Sequence, residues 1–347
     1  MNNKIIIAMS GGVDSSVAAF LAKNKADEIL GVTLSLLDSK TEDFNDAKAV
    51  ARRLGFSHRV IDMKAEFEKE VISRFIDAYE NTKTPNPCVY CNRFIKFGLL
   101  GDYAKDNGYS YVATGHYARI VKENERYILK KGVDSSKDQS YVLYSLTQEQ
   151  LKHTLFPLGG LSKTEVRDIA LENGFVNARK KESQDICFVP DGDYAGFIER
   201  YLGKTYTEGC FVDFEGNVLG THKGLIRYTV GQRKGLGLAL PKPMYVCCLC
   251  QADNSVILGD NSDLFSKTLD AEDINLITTD KINNSIRVEA KVRYSQTAQK
   301  ATVWQTGENS IHIEFDEPQR AITKGQSVVL YDGDTVIGGG TICQNGL

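Results

Sequence analysis

Proline is scarce in this chain, at 7 of 347 residues, tryptophan occurs once, and no long apolar run is present. With so little proline, no low-complexity tract and 42% hydrophobic residues, a collagenous, fibrous or disordered chain is excluded. Every apolar run falls short of the roughly 18 residues that a membrane span needs. Eight cysteines are too few to act as a disulfide scaffold for a chain of this length. Neither sign of charge dominates: 42 Lys and Arg stand against 45 Asp and Glu, a net charge of −3, which does not announce a nucleic-acid binder. The opening MNNKIIIAMSGG has too short an apolar stretch for a secretory signal, so it reads as the first β-strand of a cytoplasmic protein. The length suits two to three domains.

Charge becomes informative where it is segregated. Gly216 to Ala252 holds no acidic residue but contains Lys223, Arg227, Arg233, Lys234 and Lys242. Ala290 to Gly307 is also free of acids and contains Lys291, Arg293 and Lys300. Local basic patches on a near-neutral chain suit a polyanion that touches one face.

The first half alternates strand and helix patterns. Lys4–Met9, Glu28–Leu36, His58–Ile61 and Tyr109–Thr114 are strand-like, and Asp14–Lys23, Asp43–Leu54 and Asn92–Asp106 are helical. Between them, Glu66–Tyr79 sets Phe67, Val71, Phe75 and Ile76 on one face of an amphipathic helix. This alternation predicts an α/β, doubly wound parallel sheet. Beyond about residue 200 the segments YTVGQRKGLGLAL, MYVCCLCQ, SVILG, SIRVEAKVRY, KATVWQ and SIHIEF predict short strands in barrel-like all-β domains. KGQSVVLYDGDTVIGGG reads as a hairpin over Asp332-Gly333-Asp334. Boundaries are expected near residues 200 and 265, giving units 1–200, 201–265 and 266–347.

The most informative segment is IIIAMSGGVDSS. A strand ending at Ala8 and Met9 runs into Ser10-Gly11-Gly12-Val13-Asp14-Ser15, and a helix starts at once. Glycines let the backbone approach a ligand closely, and the free amides of a first helical turn favour an anion. Asp14 cannot donate to a phosphate, so a Mg²⁺ bridge or a capping role suits it. Neither G-x-x-x-x-G-K-[ST] nor G-x-G-x-x-G fits this segment. It resembles instead the PP-loop of the N-type ATP pyrophosphatases, which implies cleavage of ATP to AMP and pyrophosphate.

Cys88 and Cys91 form a C-x-x-C in PNPCVYCNR, with a helix expected from about Asn92. A helix N-terminus, with Arg93 and Lys96 nearby, lowers a thiol pKa. The pair reads as a redox dithiol, half of a zinc or iron–sulfur site, or a nucleophile with a bystander. Cys187, in ESQDICF, is a third candidate. Cys247, Cys248 and Cys250 alternate along a strand pattern, so they read as strand cysteines buried in a core, as do Cys210 and Cys343.

SGGVDSS, TPNPCVYCNRFIKFG, ATGHYAR, KDQSYVLYSL, ESQDICF, YTVGQRKGLG, AKVRYSQ and KGQSVVLYDGD occur here in one order. In that order they resemble the bacterial tRNA-specific 2-thiouridylases, the MnmA/TrmU family, over essentially the whole chain. The resemblance implies that ATP adenylates O2 of the wobble uridine of tRNAs for Lys, Glu and Gln. Persulfide sulfur from a cysteine desulfurase or sulfur-relay protein then displaces AMP. It also implies an ATP-binding and catalytic first domain, a tRNA-contacting central domain and a C-terminal barrel. By motif position Cys187 would carry the persulfide and Cys91 would be its partner nucleophile, releasing sulfur by disulfide formation.

Residues Ala8 to Ser15, with Leu34 and Gly115, would then contact ATP. Asn86, Pro87, Cys88, His116, Lys137, Asp138, Gln139, Arg293, Tyr294 and Gln326 would contact tRNA. Two positions depart from relatives: Cys88 stands where others carry Asp, and Leu34 where many carry Met. The extra thiol keeps open the same reaction on a [4Fe-4S] cluster held by Cys88, Cys91 and Cys187. A PP-loop amidotransferase or ligase is the other enzyme alternative, although such enzymes need no cysteine pair. A non-enzymatic RNA-binding module would not need an intact SGGVDSS.

Overall fold

The computed structural model describes residues 3–38, 41–180 and 186–345. Its architecture starts from Ile5-Ile6-Ile7. In β1 (Lys4–Ala8) successive side chains leave opposite faces, so Ile6 enters one apolar core while Ile5 and Ile7 enter another. Each contributes about 1.5–3 kcal/mol by leaving water, and a strand buried on both faces must be central. Accordingly β1 pairs in parallel with β2 (Glu28–Ser35), which pairs with β3 (Ser57–Asp62), while β4 (Tyr111–Ala113) pairs with the other edge of β1. A hairpin of β5 (Ala118–Glu123) and β6 (Arg126–Lys131) departs before β7 (Thr154–Leu155) rejoins the sheet beside β4. The order is β3-β2-β1-β4-β7.

Helices cover both faces. Val17 of the helix Val13–Lys23 and Val166 of the helix Lys163–Glu172 share one core. Helices 64–80 and 87–106 close the other with Phe67, Phe75, Ile95 and Leu100. This is the expected doubly wound sheet, and its order reverses at β1. The crevice beyond the carboxyl ends of β1 and β4 is therefore the place for a ligand.

A second sheet packs β8 (Gly209–Val212), β9 (Val218–His222), β10 (Tyr245–Cys250) and β11 (Ser255–Gly259) in the order β10-β11-β8-β9. The last unit is a closed barrel of β12 (Phe265–Leu276), β13 (Ile286–Lys291), β14 (Gln299–Gly307), β15 (Ser310–Arg320), β16 (Ser327–Asp332) and β17 (Thr335–Asn345). Its order is β12-β15-β14-β13-β16-β17, and antiparallel pairing of β12 with β17 closes it. Lys130 of β6 pairs with Thr335 of β17, so the first domain's hairpin extends the barrel sheet. Tyr141 Oη also donates to Ser327 O at 2.7 Å, and Val329 and Tyr331 of β16 join the first domain's apolar core.

Three local expectations are corrected. YTVGQRKGLGLAL forms no strand, because Gly235 and Gly237 at φ +77° and +71° break the pleat. The cysteine-bearing helix starts at Pro87 rather than Asn92: Pro87 takes the first helical position, and the Asn86 side chain accepts from the Cys88 amide at 3.2 Å. Among the strand cysteines Cys247 is buried, but Cys210 and Cys248 are exposed, since alternation sends one side of each strand outward.

Candidate active site

No side chain caps the helix that follows SGG; Gly12 itself stands at the N-cap. The hydroxyls of Ser15 and Ser16 both donate to Gly12 O at 3.0 Å, tying the turn to the helix without covering its first amides. The loop thus presents a positive helix end to the crevice, as a phosphate requires. Asn177 fixes it from behind, its Nδ2 donating to Gly11 O and Ser16 Oγ at 2.9 Å each.

Asp14 does not cap. Lys163 Nζ lies 2.7 and 2.9 Å from its two carboxylate oxygens, and Tyr117 Oη donates to Oδ1 at 2.9 Å. Both oxygens are therefore engaged, and a metal ion at this carboxylate would have to displace an ammonium. The phosphate-loop motif did not reveal either partner: Tyr117 lies in ATGHYAR, next to His116, and Lys163 in none of the motifs singled out.

The carboxyl ends of β2 and β4 complete the crevice. Thr33 Oγ1 donates to Met9 O at 2.6 Å, and Gly115 packs so close to the phosphate-loop helix that a Cβ there would stand 2.9 Å from Asp14 C and Ser15 N. The resulting cavity, of about 270 Å³, is lined by Ala8, Met9, Ser10, Asp14, Ser15, Leu34, Gly115, His116 and Gln139, together with Lys96. His116 is buried between Phe97 and Phe156, and its Nδ1 lies 2.7 Å from Thr114 Oγ1. Burial, reinforced by Lys96, holds its pKa well below 6.5, so the imidazole is neutral.

The three candidate cysteines are brought together. Cys91 is buried, Cys88 and Cys187 are exposed, and each ionised sulfur would be felt by its neighbours: Cys187 and Cys88 at Cys91, and Cys88 at Cys187. The expected lowering of the thiol pKa at the helix terminus is corrected. Burial pushes Cys91 up to about 11; Cys88 and Cys187 reach solvent with part of each residue, yet the protein around their sulfurs strips enough water to raise them as well, and the opposing charge of Lys96 does not compensate. Among the described residues no group of three or more His, Cys, Asp or Glu side chains is arranged to hold a metal ion. The three thiols as they stand therefore do not fit a cluster. Lys181 to Asp185, including most of ESQDICF, lie outside the described residues.

The remaining candidates are dispersed. Asp138 accepts from the amides of Gly132 and Ser140 at 3.0 and 3.1 Å, while Gln139 Oε1 accepts from the Tyr117 amide at 3.0 Å. Lys137 is half-buried in the same loop. Tyr294 Oη donates to Asp138 O at 3.0 Å, bringing the barrel onto that loop. Gln326 Nε2 donates to Thr84 O at 2.8 Å, just ahead of Asn86, Pro87 and Cys88. Arg293 Nη2 donates to Val230 O, Ala321 O and Thr323 Oγ1 at 3.3, 2.6 and 3.0 Å, so it ties a turn of the central unit to the barrel.

Family models match three stretches. Residues 3–191 match the tRNA methyl transferase HUP domain, 195–260 the tRNA methyl transferase PRC-barrel domain, and 266–342 the aminomethyltransferase beta-barrel domain. The tRNA-specific 2-thiouridylase MnmA of Clostridioides difficile (strain 630) is 49% identical over 355 residues, covering 99% of this chain and 98% of that protein. The protein of the same name in Clostridium acetobutylicum is 47% identical, covering 99% of this chain and 100% of the relative. Among solved structures, the U34-tRNA thiolase NcsA from Methanococcus maripaludis with its [4Fe-4S] cluster aligns at a TM-score of 0.37 and 16% identity. That alignment spans 58% of this chain and 67% of the other, a likeness too low to carry an argument about cofactors. Relatives this similar over their full length settle the family: the chain belongs to the tRNA-specific 2-thiouridylases.

Proposed function

We propose that this protein is an ATP-dependent tRNA-uridine 2-sulfurtransferase that converts the wobble uridine of tRNAs for Lys, Glu and Gln to 2-thiouridine. The observation that carries the reading is the place of Lys96: it lines the cavity at the uncapped phosphate loop, and its charge is felt at the Cys88, Cys91 and Cys187 thiols. A carbonyl oxygen is a poor leaving group, so O2 attacks the α-phosphorus of ATP, pyrophosphate leaves, and O2 becomes part of an adenylate. The open amides of the first helical turn hold the phosphates, and Mg²⁺ arriving with ATP would be held mainly by phosphate oxygens, since Asp14 is engaged by Lys163.

Sulfur reaches Cys187 from a persulfide donor of the cysteine desulfurase or sulfur-relay class. Its terminal sulfur adds to C2, and the C2–O2 bond breaks as AMP departs with the electron pair. The Cys91 thiolate then attacks Sγ of Cys187. The bond between Sγ and the transferred sulfur breaks, leaving 2-thiouridine and a Cys91–Cys187 disulfide, which a dithiol reductant must reopen. Incubation with ATP, a persulfide or sulfide source and unmodified tRNA should yield AMP, pyrophosphate and 2-thiouridine. Nucleotide cleavage without thiolation of any tRNA would refute the assignment.

A further inference from the structure

The cysteine helix changes its winding where the chemistry lies. It is α-helical over Pro87–Tyr90, π-helical over Cys91–Leu99 and α-helical again over Leu100–Asp106. In an α-helix the five-residue step from Cys91 to Lys96 would turn about 140° and separate the two side chains. Bonding from i to i+5 widens each turn by a residue, so the same step returns nearly to the starting face. Short π segments inside α-helices are frequent at functional sites; this chain has a second at Glu68–Ile72, so the winding points to a function only together with what Lys96 and Cys91 face.

Lys96 is half-buried and lines the nucleotide cavity with Ser10, Asp14, Gly115 and His116. Among the described residues its ammonium has neither a carboxylate nor a hydrogen-bond partner, whereas Lys163 is paired with Asp14. The charge of Lys96 reaches Cys88, Cys91, Cys187 and His116, and at all three thiols it opposes the effect of burial. Among the described residues, the other titratable groups facing Cys91 and Cys187 are thiols of the same trio, so no second cation performs this task at either site.

We propose that Lys96 is a positioning residue for sulfur transfer: five residues on from Cys91 along the same π segment, its ammonium holds the attacking sulfur at Cys91 and Cys187 as an anion beside the nucleotide cavity. This rests on the sulfurtransferase reading. It assigns Lys96 no covalent role.

The test is alkylation of the full chain by iodoacetamide between pH 7 and 10, read peptide by peptide by mass spectrometry, in wild type, Lys96→Met, Lys96→Gln and Lys96→Arg. In Lys96→Met and Lys96→Gln, labelling of Cys91 and Cys187 at pH 8 should fall about tenfold and recover at higher pH, as expected for about one pKa unit. Lys96→Arg should restore most of it, and Cys248, exposed and without Lys96 among its influences, should label equally in all four proteins. Single-turnover thiolation should show the same alkaline displacement. Unchanged labelling of Cys91 and Cys187 in a folded Lys96→Gln protein, or equal loss at Cys248, would overturn the proposal. Because alkylation needs neither ATP nor tRNA, a wild type that makes no 2-thiouridine would refute the functional reading separately.

Discussion

Lys163 Nζ stands 2.7 and 2.9 Å from the two carboxylate oxygens of Asp14, joining a helix late in the first domain to the first turn after β1. Removing the ammonium leaves a partly buried carboxylate at the phosphate loop, held by the Tyr117 hydroxyl in place of a cation. Lys163→Met should lose about 1.5–3 kcal/mol of stability, the cost of a hydrogen bond to a charged group. Pyrophosphate release from ATP should fall at least tenfold, while tRNA affinity changes little. Urea denaturation, nucleotide turnover and a tRNA-binding titration check the three parts; a tRNA affinity that collapsed would join sites that are separate here.

Arg233 and Lys234 are exposed in the acid-free stretch of the central unit, whereas Arg293 is occupied by two backbone carbonyls and a hydroxyl. Replacing Arg233 and Lys234 by Gln should therefore flatten the slope of log K for tRNA against log salt, by about one unit for each phosphate no longer neutralised. Arg293→Gln should instead lower the thermal midpoint, because it unties the Val230 turn of the central unit from the barrel. A slope that responded to Arg293 alone would reverse these assignments.

What was legible in the sequence was local. The strand–turn–helix of IIIAMSGGVDSS announced itself within a dozen residues, whereas the burial of Ile5-Ile6-Ile7 on both faces emerged only from the folded sheet. The partners of Asp14 were not legible: Tyr117 and Lys163 lie 103 and 149 positions away, and only the closed fold brings them near. The hairpin β5–β6 escaped for the same reason, since its place is fixed by the pairing of Lys130 with Thr335. For the thiols the sequence showed the helix terminus that lowers a pKa, but not the burial that raises it, and burial is the larger effect.

That larger effect has a signature in stability. The Cys91 thiol rises from its ordinary 9.0 to about 11 because burial disfavours the thiolate. A pKa raised in the folded state contributes stability that is complete below the unfolded value and is lost as pH rises through the folded one. The stability difference between wild type and Cys91→Ala should therefore shrink by about 2–3 kcal/mol from pH 9 to pH 11. Urea titrations at several pH values measure it, and the difference removes the contribution of tyrosines that ionise in the same range. A constant difference would mean that water reaches Cys91.

The sulfur-transfer scheme makes unequal demands on the three thiols, although they lie close enough to influence one another. Cys187→Ser cannot carry a persulfide, and Cys91→Ser cannot release its sulfur by forming a disulfide. Both should lose thiolation by at least a hundredfold while still binding ATP and tRNA. Cys88→Ser should keep substantial activity, because neither step needs a third thiol and the Cys88 amide, not its sulfur, joins the cap with Asn86. A cluster on all three sulfurs would make the three variants equally inactive and would bleach an iron chromophore in each. The schemes also differ in what a single turnover leaves behind. Without reductant, the persulfide route must end in a Cys91–Cys187 disulfide, recovered as a linked peptide pair after digestion under acid. An inactive Cys88→Ser protein, together with no linked pair in the wild type, would remove the persulfide scheme, because both the dispensable thiol and the required product would then be missing.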